Sequence, residues 1–344
     1  MTNLIIGAIR KDSGKTSILV GLAKAINKNI AYFKPFGNRL RYDKKRLWDY
    51  DAALMKYLFN LDEDPENLSL GFEHTRLKYA YDQKAIREKL ISELAKISAN
   101  KDVVFIEGGS YLSYGASIHL DVLSIAEYIK GKLIIIINGS EHDILDDIYF
   151  VKKYLDMKKS DFAGVIINKV ADVDDFKNTY LDEIKALGVN VLGLIPYEKE
   201  LTYFSVGFIV DYLFAKVIAG KEGLGKTVKD IFIGTMSATS AVQSSLFKRE
   251  SKLVITTGDR SDLVLAALES SSAGIILTNN IMPPANIISK AEEVNIPLLI
   301  VPWDTYDLVK RITSMELLLT KSDSNKVELL QKLVSENVSL KGIV

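Results

Sequence analysis

The 344-residue sequence contains no cysteine, only three histidines and no excess of either charge. The lack of cysteine excludes disulfides, thiolate chemistry and cysteine-ligated zinc. The histidines, His74, His119 and His142, are scattered rather than placed at the short intervals of metal-binding motifs, which argues against a histidine-based metal site. Lysine plus arginine number 44, as do aspartate plus glutamate. The sequence therefore lacks the basic excess that is typical of proteins that bind nucleic acid.

Long apolar segments are also missing. The longest apolar run, near residues 133–138, is far short of the ~20 residues that a membrane-spanning helix needs. The first three residues, Met1-Thr2-Asn3, lead into a strand-like run without the basic region and cleavage site of a signal peptide. With 48% apolar and 26% charged residues, the composition is typical of a soluble globular protein. We expect a cytoplasmic protein whose partners include neither a membrane nor nucleic acid.

The sequence does contain a regular alternation of short apolar runs and longer helical patterns. The runs are continuously apolar, which is typical of strands buried on both faces. Strands are predicted at 4–8, 30–33, 103–106, 133–137, 164–167 and 191–195. Helical patterns lie between them, for example at 16–26, 83–97 and 143–154. This order predicts an α/β fold in which a parallel sheet has helices on both faces.

A second, smaller α/β series begins near residue 200. Its strands are predicted at 231–233, 253–256, 274–277 and 298–301, and its helices at 208–217, 238–247, 262–268, 284–293 and 305–318. A polar tail with one predicted helix, at 326–335, follows. Because the chain is longer than one typical domain of roughly 100–200 residues, we predict a first domain at 1–203, a second at 204–320 and a helical tail at 321–344.

The strict phosphate-loop pattern G-x-x-x-x-G-K-[ST] occurs once, at residues 220–227. A phosphate loop must follow a strand and open a helix, so that the helix N-terminus and the loop N–H groups point at phosphate. Residues 220–227 instead follow the predicted helix 208–217 and precede a strand-like run. We therefore interpret this match as a flexible linker rather than a phosphate site.

A lengthened version of the loop lies at residues 7–16, where six residues rather than four separate the two glycines. A predicted strand precedes it and a predicted helix follows, as a phosphate loop requires. Lys15 would reach the β- and γ-phosphates, and the Thr16 hydroxyl would ligate Mg²⁺. The candidate nucleotide-binding residues here are Arg10, Lys11, Asp12, Ser13, Gly14, Lys15, Thr16 and Ser17. The alternative is a surface turn that happens to contain Gly-Lys-Thr.

Polar residues at other strand ends extend this candidate site. Glu107 follows the strand 103–106 and is the best second carboxylate for Mg²⁺, which prefers one or two carboxylates. Asp51 and Asp49 are weaker candidates that could instead be solvated charges at a helix start. Lys34 would stabilise a transferring phosphoryl group or be a surface lysine. Asn168 offers an amide suited to an adenine edge.

These motifs resemble the dethiobiotin-synthetase-like branch of the P-loop NTPases. The similarity rests on the lengthened loop and on four segments in the expected order: 33–35 (Phe-Lys-Pro), 106–109 (Ile-Glu-Gly-Gly), 164–168 (Gly-Val-Ile-Ile-Asn) and 192–196 (Leu-Gly-Leu-Ile-Pro). The resemblance implies ATP and Mg²⁺ as cofactors and a homo-oligomer, such as a dimer, that pairs across the active site. It assigns catalytic roles to Lys15 and Lys34, metal ligation to Thr16, Asp51 and Glu107, and nucleotide contacts to Asn168 and Pro196.

Residues 205–320 resemble a DRTGG domain. The matching segments are 233–237 (Ile-Gly-Thr-Met-Ser), 257–260 (Thr-Gly-Asp-Arg), 277–278 (Leu-Thr), 296–297 (Ile-Pro) and 304–305 (Asp-Thr). Asn279 and Asn280 stand where the family has two glycines. This difference argues against a ligand role in which a ligand must approach the backbone of this turn closely. A possible second site comprises Gly258, Asp259, Arg260 and Thr278; the alternative is a turn with an Asp–Arg pair.

The two domains in this order resemble the N-terminal, regulatory half of long-form phosphate acetyltransferases, and we expect a free-standing version without the transferase domain. Three functions follow as hypotheses. The first is a nucleotide-sensing regulator acting on an acetyltransferase or another protein. The second is an ATP-dependent ligase or cyclase acting on a carboxylate, with Arg39 and Arg41 either binding that substrate or lying on the surface. The third is an interaction module with a vestigial nucleotide site.

Overall fold

The structure, a computed structural model, describes residues 1–43, 46–155 and 161–343. The chain divides into two compact units. Unit 1 comprises Met1–Glu198 together with Leu319–Val344, and unit 2 comprises Lys199–Leu318. No helix among the described residues has the length and apolar character that crossing a membrane requires.

Unit 1 is built on a six-stranded parallel sheet in the order β2-β5-β1-β6-β7-β8. A separate antiparallel pair, β3 and β4, lies beyond β2 in the chain. The strands of unit 1 are β1 Thr2–Ala8, β2 Ile30–Phe33, β3 Leu40–Asp43, β4 Arg46–Asp49, β5 Val103–Glu107, β6 Lys132–Ile137, β7 Asp161–Val170 and β8 Val191–Pro196. Its helices are α1 Lys15–Ile26, α2 Tyr50–Phe59, α3 His74–Ala80, α4 Gln83–Ile97, α5 Val122–Ile129, α6 Glu141–Tyr154, α7 Val173–Ala186 and α13 Ser324–Asn337.

Helices cover both faces of this sheet, as the continuous apolar strands predict. Ile5 on β1 is fully buried in a cluster with side chains of α4 to α7. Leu4 and Ile6, its neighbours, are equally buried, and the alternation of a strand points them to the other face. Helix α1 packs near β1 and β5. The fold prediction for this part of the chain is confirmed.

Helix α13 brings the end of the chain back to unit 1, where it packs against α1 and β8. The approach is closest at Gly21 of α1: a Cβ there would lie 2.6 Å from a methyl of Val334 and 2.8 Å from the carbonyl oxygen of Leu330. Beyond α13, Ser339 N–H donates to Leu192 O on β8 at 2.8 Å. The tail helix predicted at 326–335 is therefore two residues longer at each end and completes unit 1.

Unit 2 contains a five-stranded sheet in the order β10-β15-β14-β13-β12, parallel except for β10. Helices α9, α10 and α11 pack on one face, and α8 and α12 on the other. Its strands are β9 Phe204–Ser205, β10 Lys216–Ala219, β11 Thr227–Val228, β12 Asp230–Ile233, β13 Lys252–Thr257, β14 Ser272–Thr278 and β15 Leu298–Ile300. Its helices are α8 Val206–Leu213, α9 Ala238–Gln243, α10 Ser261–Leu268, α11 Ala285–Glu293 and α12 Thr305–Thr313.

Three predicted helices of unit 2 were too long. The helix predicted at 208–217 ends at Leu213, because Phe214 adopts a left-handed conformation with φ 49° that stops α8. Residues Lys216–Ala219 then form β10, whose β-branched side chains suit an edge strand paired with β15. The helices predicted at 238–247 and 305–318 end at Gln243 and Thr313.

Candidate nucleotide-binding site

The lengthened loop lies between the end of β1 and the start of α1, the arrangement that a phosphate loop needs. Gly14 precedes α1 with φ 83°, a conformation that side chains disfavour. A Cβ at Gly14 would also lie 2.5 Å from Nδ2 of Asn168. That amide donates to the carbonyl of Ser13 at 2.9 Å, so the end of β7 holds the loop in place. A contact between Asn168 and adenine stays a prediction.

Two further contacts fix the loop. Lys169 Nζ donates to the carbonyl of Asp12 at 2.7 Å, and Ser13 Oγ donates to the carbonyl of Arg10 at 2.6 Å. The Arg10 guanidinium is bound by two carboxylates of α6, at 2.6 Å from Asp143 and 2.8 Å from Asp147. The structure therefore gives Arg10 a role in anchoring the loop to α6.

Lys15, the first residue of α1, is only 8% exposed. Its described hydrogen bond goes from Nζ to the carbonyl of Ser110, at 3.1 Å. Burial lowers the pKa of Lys15, while the charge of Glu107 opposes this shift. A buried ammonium group at a helix N-terminus, whose hydrogen bond among the described residues goes to a neutral carbonyl, is well suited to receive an anion.

Thr16 and Glu107 are in direct contact across the sheet edge. The Thr16 hydroxyl donates to Oε1 of Glu107 at 2.8 Å, and the Tyr32 hydroxyl donates to Oε2 at 2.7 Å. Glu107 is buried, which raises its pKa, and the charge of Asp51 adds to the rise. Tyr32, fully buried on β2, was not predicted as a site residue, because nothing in a strand sequence shows which hydroxyl will face the site.

Lys34 is enclosed by carboxylates at the end of β2. It is 1% exposed, and its Nζ donates to Asp49 at 3.2 Å and to Asp51. Burial lowers the pKa of Lys34, but the charges of Asp51, Glu107 and Asp49 outweigh burial and raise it above its ordinary value. Asp49 also caps α2 by accepting from the N–H of Asp51. Neither aspartate is the solvated charge considered as an alternative.

Arg39 completes the cluster. Its Nη1 donates to both oxygens of Asp51, at 3.1 and 2.8 Å, and lies 3.4 Å from the Thr16 hydroxyl. Burial alone would raise the pKa of Asp51, but Lys34 and Arg39 lower it below its ordinary value. Sequence reasoning left Arg39 between a substrate contact and a surface charge. Its position in the loop that follows the Phe-Lys-Pro segment is the sequence signal that could have placed it in the site.

The oxygens present fit a magnesium ion in part. A hydroxyl and a carboxylate in contact, those of Thr16 and Glu107, are the hard donors that Mg²⁺ prefers. Asp51 is engaged by Lys34 and Arg39. Among the described residues, no group of three or more acidic or histidine side chains is placed to hold a metal. Such a site would depend on phosphate oxygens and water for its other ligands, as magnesium sites usually do.

Three predicted nucleotide-binding residues lie apart from this cluster or at its margin. Lys11 is exposed, with Nζ 5.7 Å from the centre of the Tyr111 ring. Ser17 lies in the first turn of α1, after Thr16. Pro196 ends β8, which β6 and β7 separate from β1. Their nucleotide contacts stay predictions.

In unit 2, the possible second site consists of side chains that tie turns together. Arg260 donates to the carbonyls of Gly234 at 3.2 Å and Met236 at 2.6 Å. Asp259 accepts from the hydroxyl of Thr257, the residue paired with Thr278 on β14. A Cβ at Gly258 would overlap the carbonyl oxygen of Ile281. The buried Thr278 hydroxyl has no hydrogen-bond partner among the described residues.

The two asparagines after β14 adopt the left-handed conformation that favours glycine. Asn279 and Asn280 have φ 59° and 54°, both left-handed, which asparagine tolerates better than most residues. Their N–H groups donate to the carbonyls of Trp303 and Val301, each at 2.9 Å. This turn is therefore fastened to the segment after β15, and a ligand role for the second site stays a prediction.

The strict pattern at 220–227 does not open an α-helix. A 3₁₀-helix, Lys221–Gly225, and the short strand β11 occupy it. A strand, β10, does precede it, contrary to the predicted helix. Lys226 Nζ donates to the carbonyl of Asn295 at 2.6 Å. The segment lacks the helix N-terminus that would bind phosphate.

Two family models match successive parts of the chain. Residues 2–204 match the model of an AAA domain, and residues 208–315 match that of a DRTGG domain. The chain is 25% identical to a phosphate acetyltransferase of Nitratidesulfovibrio vulgaris, over 91% of this chain and 47% of that protein. It is 24% identical to one of Synechocystis sp., over 95% of this chain and 49% of that protein.

Among solved structures, the chain is similar to an apo-form GTPase of Pyrococcus abyssi, with 15% identity, a TM-score of 0.34, and coverage of 54% of this chain and 77% of that one. The chain spans about half the length of the curated relatives it matches. The predicted resemblance to the N-terminal half of long-form phosphate acetyltransferases is confirmed. With its model matched over more than half of the sequence, the chain belongs to the AAA domain family and carries a DRTGG domain after it.

Proposed function

We propose that this protein binds ATP with Mg²⁺ in the cytoplasm and regulates a partner protein according to nucleotide occupancy. The observation that carries the proposal is the buried ammonium of Lys15 at the N-terminus of α1, beside the Thr16–Glu107 pair. The helix terminus and the ammonium group both favour negative charge there. The triphosphate would lie along the loop before α1.

Different residues of the chain would bind phosphate, hold the metal and position the loop. Lys15 would bind the β- and γ-phosphates, exchanging its contact with Ser110 for a charge-assisted hydrogen bond. Thr16 and Glu107 would hold Mg²⁺, which supplies charge neutralisation between phosphate oxygens when bound. Asn168 and Lys169 would keep the loop in its binding conformation through their contacts with Ser13 and Asp12.

The regulatory part of the proposal rests on the domain pair. An AAA domain followed by a DRTGG domain resembles the N-terminal half of phosphate acetyltransferases. We propose an acetyltransferase or another protein as the partner and a dimer as the assembly. Light scattering coupled to size exclusion would test the assembly, and a monomer with and without ATP would contradict it.

Isothermal titration of the whole chain with ATP and Mg²⁺ tests the binding. Lys15→Ala should weaken binding by about 10- to 150-fold, the usual range for losing a hydrogen bond to a charged group. Lys226→Ala is the matched control, since it removes the lysine of the other Gly-Lys-Thr and should leave the affinity unchanged. Wild-type protein that binds no nucleotide, or a loss confined to Lys226→Ala, would contradict the proposal.

A second candidate, an ATP-dependent ligase acting on a carboxylate, is favoured by Lys34. This lysine is fully buried at the end of β2 and keeps its charge between two aspartates, where it would stabilise a transferring phosphoryl group. ADP release that requires a diamino acid or a cobyrinate-type substrate would favour the ligase. Binding of ATP without such release favours the regulator.

A further inference from the structure

The Arg39 guanidinium lies among the side chains predicted to ligate a metal. Its Nη1 is 3.1 and 2.8 Å from the two carboxylate oxygens of Asp51 and 3.4 Å from the hydroxyl of Thr16. That hydroxyl in turn lies 2.8 Å from Glu107 Oε1. A positively charged group therefore touches two of the three predicted ligands and lies beside the third.

Charge balance explains why a cation is needed there. Among the residues that the structure describes, the buried carboxylates of Asp49, Asp51 and Glu107 face three cations: Lys15, Lys34 and Arg39. Buried charges are tolerated when they are paired. Without Arg39, negative charge would be in excess beside the Thr16 hydroxyl. With both Arg39 and a divalent cation in place, positive charge would be in excess.

Of these cations, Arg39 is the one placed to move. Lys34 is 1% exposed and enclosed by Asp49 and Asp51. The Arg39 side chain is 23% exposed, while its backbone N–H is held by Asp49 at 3.0 Å. The guanidinium could therefore swing outward from a fixed backbone position. Its planar fork is suited to phosphate oxygens.

We propose that Arg39 is the resident cation of the metal position: it binds Asp51 and Thr16 when no metal is bound, and it passes to phosphate oxygens when Mg²⁺ takes its place. The part concerning phosphate rests on the function proposed above. The part concerning the metal depends only on the cluster itself. Arg39 would thus set how strongly nucleotide binding depends on magnesium.

The metal part is tested on nucleotide-free protein, with Mn²⁺ as the probe and paramagnetic resonance of free Mn²⁺ as the readout. Arg39→Gln should bind Mn²⁺ on the order of tenfold more tightly, because a competing cation has been removed. Arg41→Gln is the matched control: it removes one charge from the same segment, but Arg41 is exposed over the Tyr50 ring and makes no hydrogen bond or ion pair with Asp51 in the described part of the chain. Equal affinities in Arg39→Gln and wild type, or equal gains in both variants, would overturn the proposal.

The phosphate part is tested by titrating ATP in the presence of EDTA and again with saturating Mg²⁺. Arg39→Gln should lose about tenfold or more in affinity with saturating Mg²⁺, where Arg39 would contact phosphate, and under about threefold in EDTA, where Arg39 stays on Asp51 and Thr16. An equal loss in both conditions would show a structural role and overturn the proposal. If wild type binds no ATP in either condition, the proposed function fails, and the Mn²⁺ titration still decides the role of Arg39.

A second variant, Arg39→Lys, keeps the proposal testable if Arg39→Gln does not fold. Lysine keeps the charge but lacks the planar fork, so Mn²⁺ affinity should lie between those of wild type and Arg39→Gln. Should Arg39→Gln fail to fold, Arg39→Lys decides alone. Mn²⁺ affinity above the wild-type value but less than about tenfold above it supports a resident cation, and any other affinity contradicts one.

Discussion

The chain contains the triplet Gly-Lys-Thr twice, at residues 14–16 and 225–227, and the structure surrounds the two copies differently. Gly14 is left-handed and leaves no room for a Cβ beside Asn168, whereas Gly225 has no atom within 4 Å of where a Cβ would be. Lys15 is buried at the start of an α-helix, and Lys226 is half-buried between a 3₁₀-helix and a strand. Thr16 touches a buried carboxylate.

The difference between the two copies shows that the triplet alone does not specify a phosphate site. Three identical residues become a phosphate-site candidate only where a strand ends before them and a helix begins with them. The strict spacing belongs to the copy without the helix. Parallel substitutions at the two copies therefore test whether the surroundings of the triplet decide its role.

The largest effect is expected at the charge cluster around the first copy. Lys34→Met leaves two buried aspartates without their lysine and should lower the free energy of unfolding of unit 1 by about 3–5 kcal/mol. Lys226→Met, within the second copy, should change the free energy of unfolding of unit 2 by less than about 1 kcal/mol. The two tryptophans allow separate readouts, since Trp48 lies in unit 1 and Trp303 in unit 2.

Urea unfolding would be followed by Trp48 fluorescence in a Trp303→Phe background, and by Trp303 in a Trp48→Phe background. Each background protein serves as the reference for its own variant. A cost below about 1 kcal/mol for Lys34→Met would show that the ion pairs are not needed for stability. The contrast between the two copies would then concern binding alone.

An intermediate effect is expected at the glycines. Gly14→Ala forces a side chain into a left-handed conformation and against Nδ2 of Asn168, so we expect unit 1 to lose about 1–3 kcal/mol and ATP affinity to fall. Gly225→Ala should be neutral or stabilise unit 2 by up to about 1 kcal/mol, because alanine restricts the unfolded chain. Equal costs at both positions, measured by the same urea unfolding, would contradict the difference in surroundings between Gly14 and Gly225.

The smallest effect has the opposite sign. Lys15→Met removes a buried ammonium group for which the cost of burial outweighs the attraction of Glu107, so nucleotide-free unit 1 should become more stable by about 1 kcal/mol at neutral pH. Because the folded protein lowers the pKa of Lys15, it holds fewer protons than the unfolded chain between that lowered pKa and 10.5. Wild-type stability therefore rises with pH across that window.

The advantage of Lys15→Met should accordingly shrink as the pH rises toward 10.5, the ordinary pKa of lysine. Thermal unfolding from neutral pH upward measures this. Lys11→Met, at an exposed lysine of the same loop, is the control and should show no such trend. A variant less stable than wild type throughout would show that the contact with Ser110 outweighs burial.

Most of the sheet of unit 1 could be predicted because its strands are continuously apolar, a pattern that depends on local sequence alone. The loop, Glu107 and Lys34 could be singled out because they stand at strand ends. Arg39 could not be placed, because its role depends on where the fold brings Asp51. Tyr32 could not be placed, because a strand sequence does not show that its hydroxyl meets Glu107 on the neighbouring strand. In unit 2, the helix at 208–217 was wrong because a single left-handed residue, Phe214, outweighed a helical pattern.

The return of α13 to α1 has a consequence for how the protein is made. Unit 2 is encoded between the two parts of unit 1, and domains tend to fold as units while the chain is being synthesised. Unit 2 can therefore fold on the ribosome before the C-terminal segment makes its contacts with Gly21 and Leu192 in unit 1. Until residues 324–337 emerge, the apolar side of the first helix stays open to water. In a polypeptide that ends before residue 324, α13 would be absent, and α1, the helix that begins at the phosphate loop, would stay uncovered on that side.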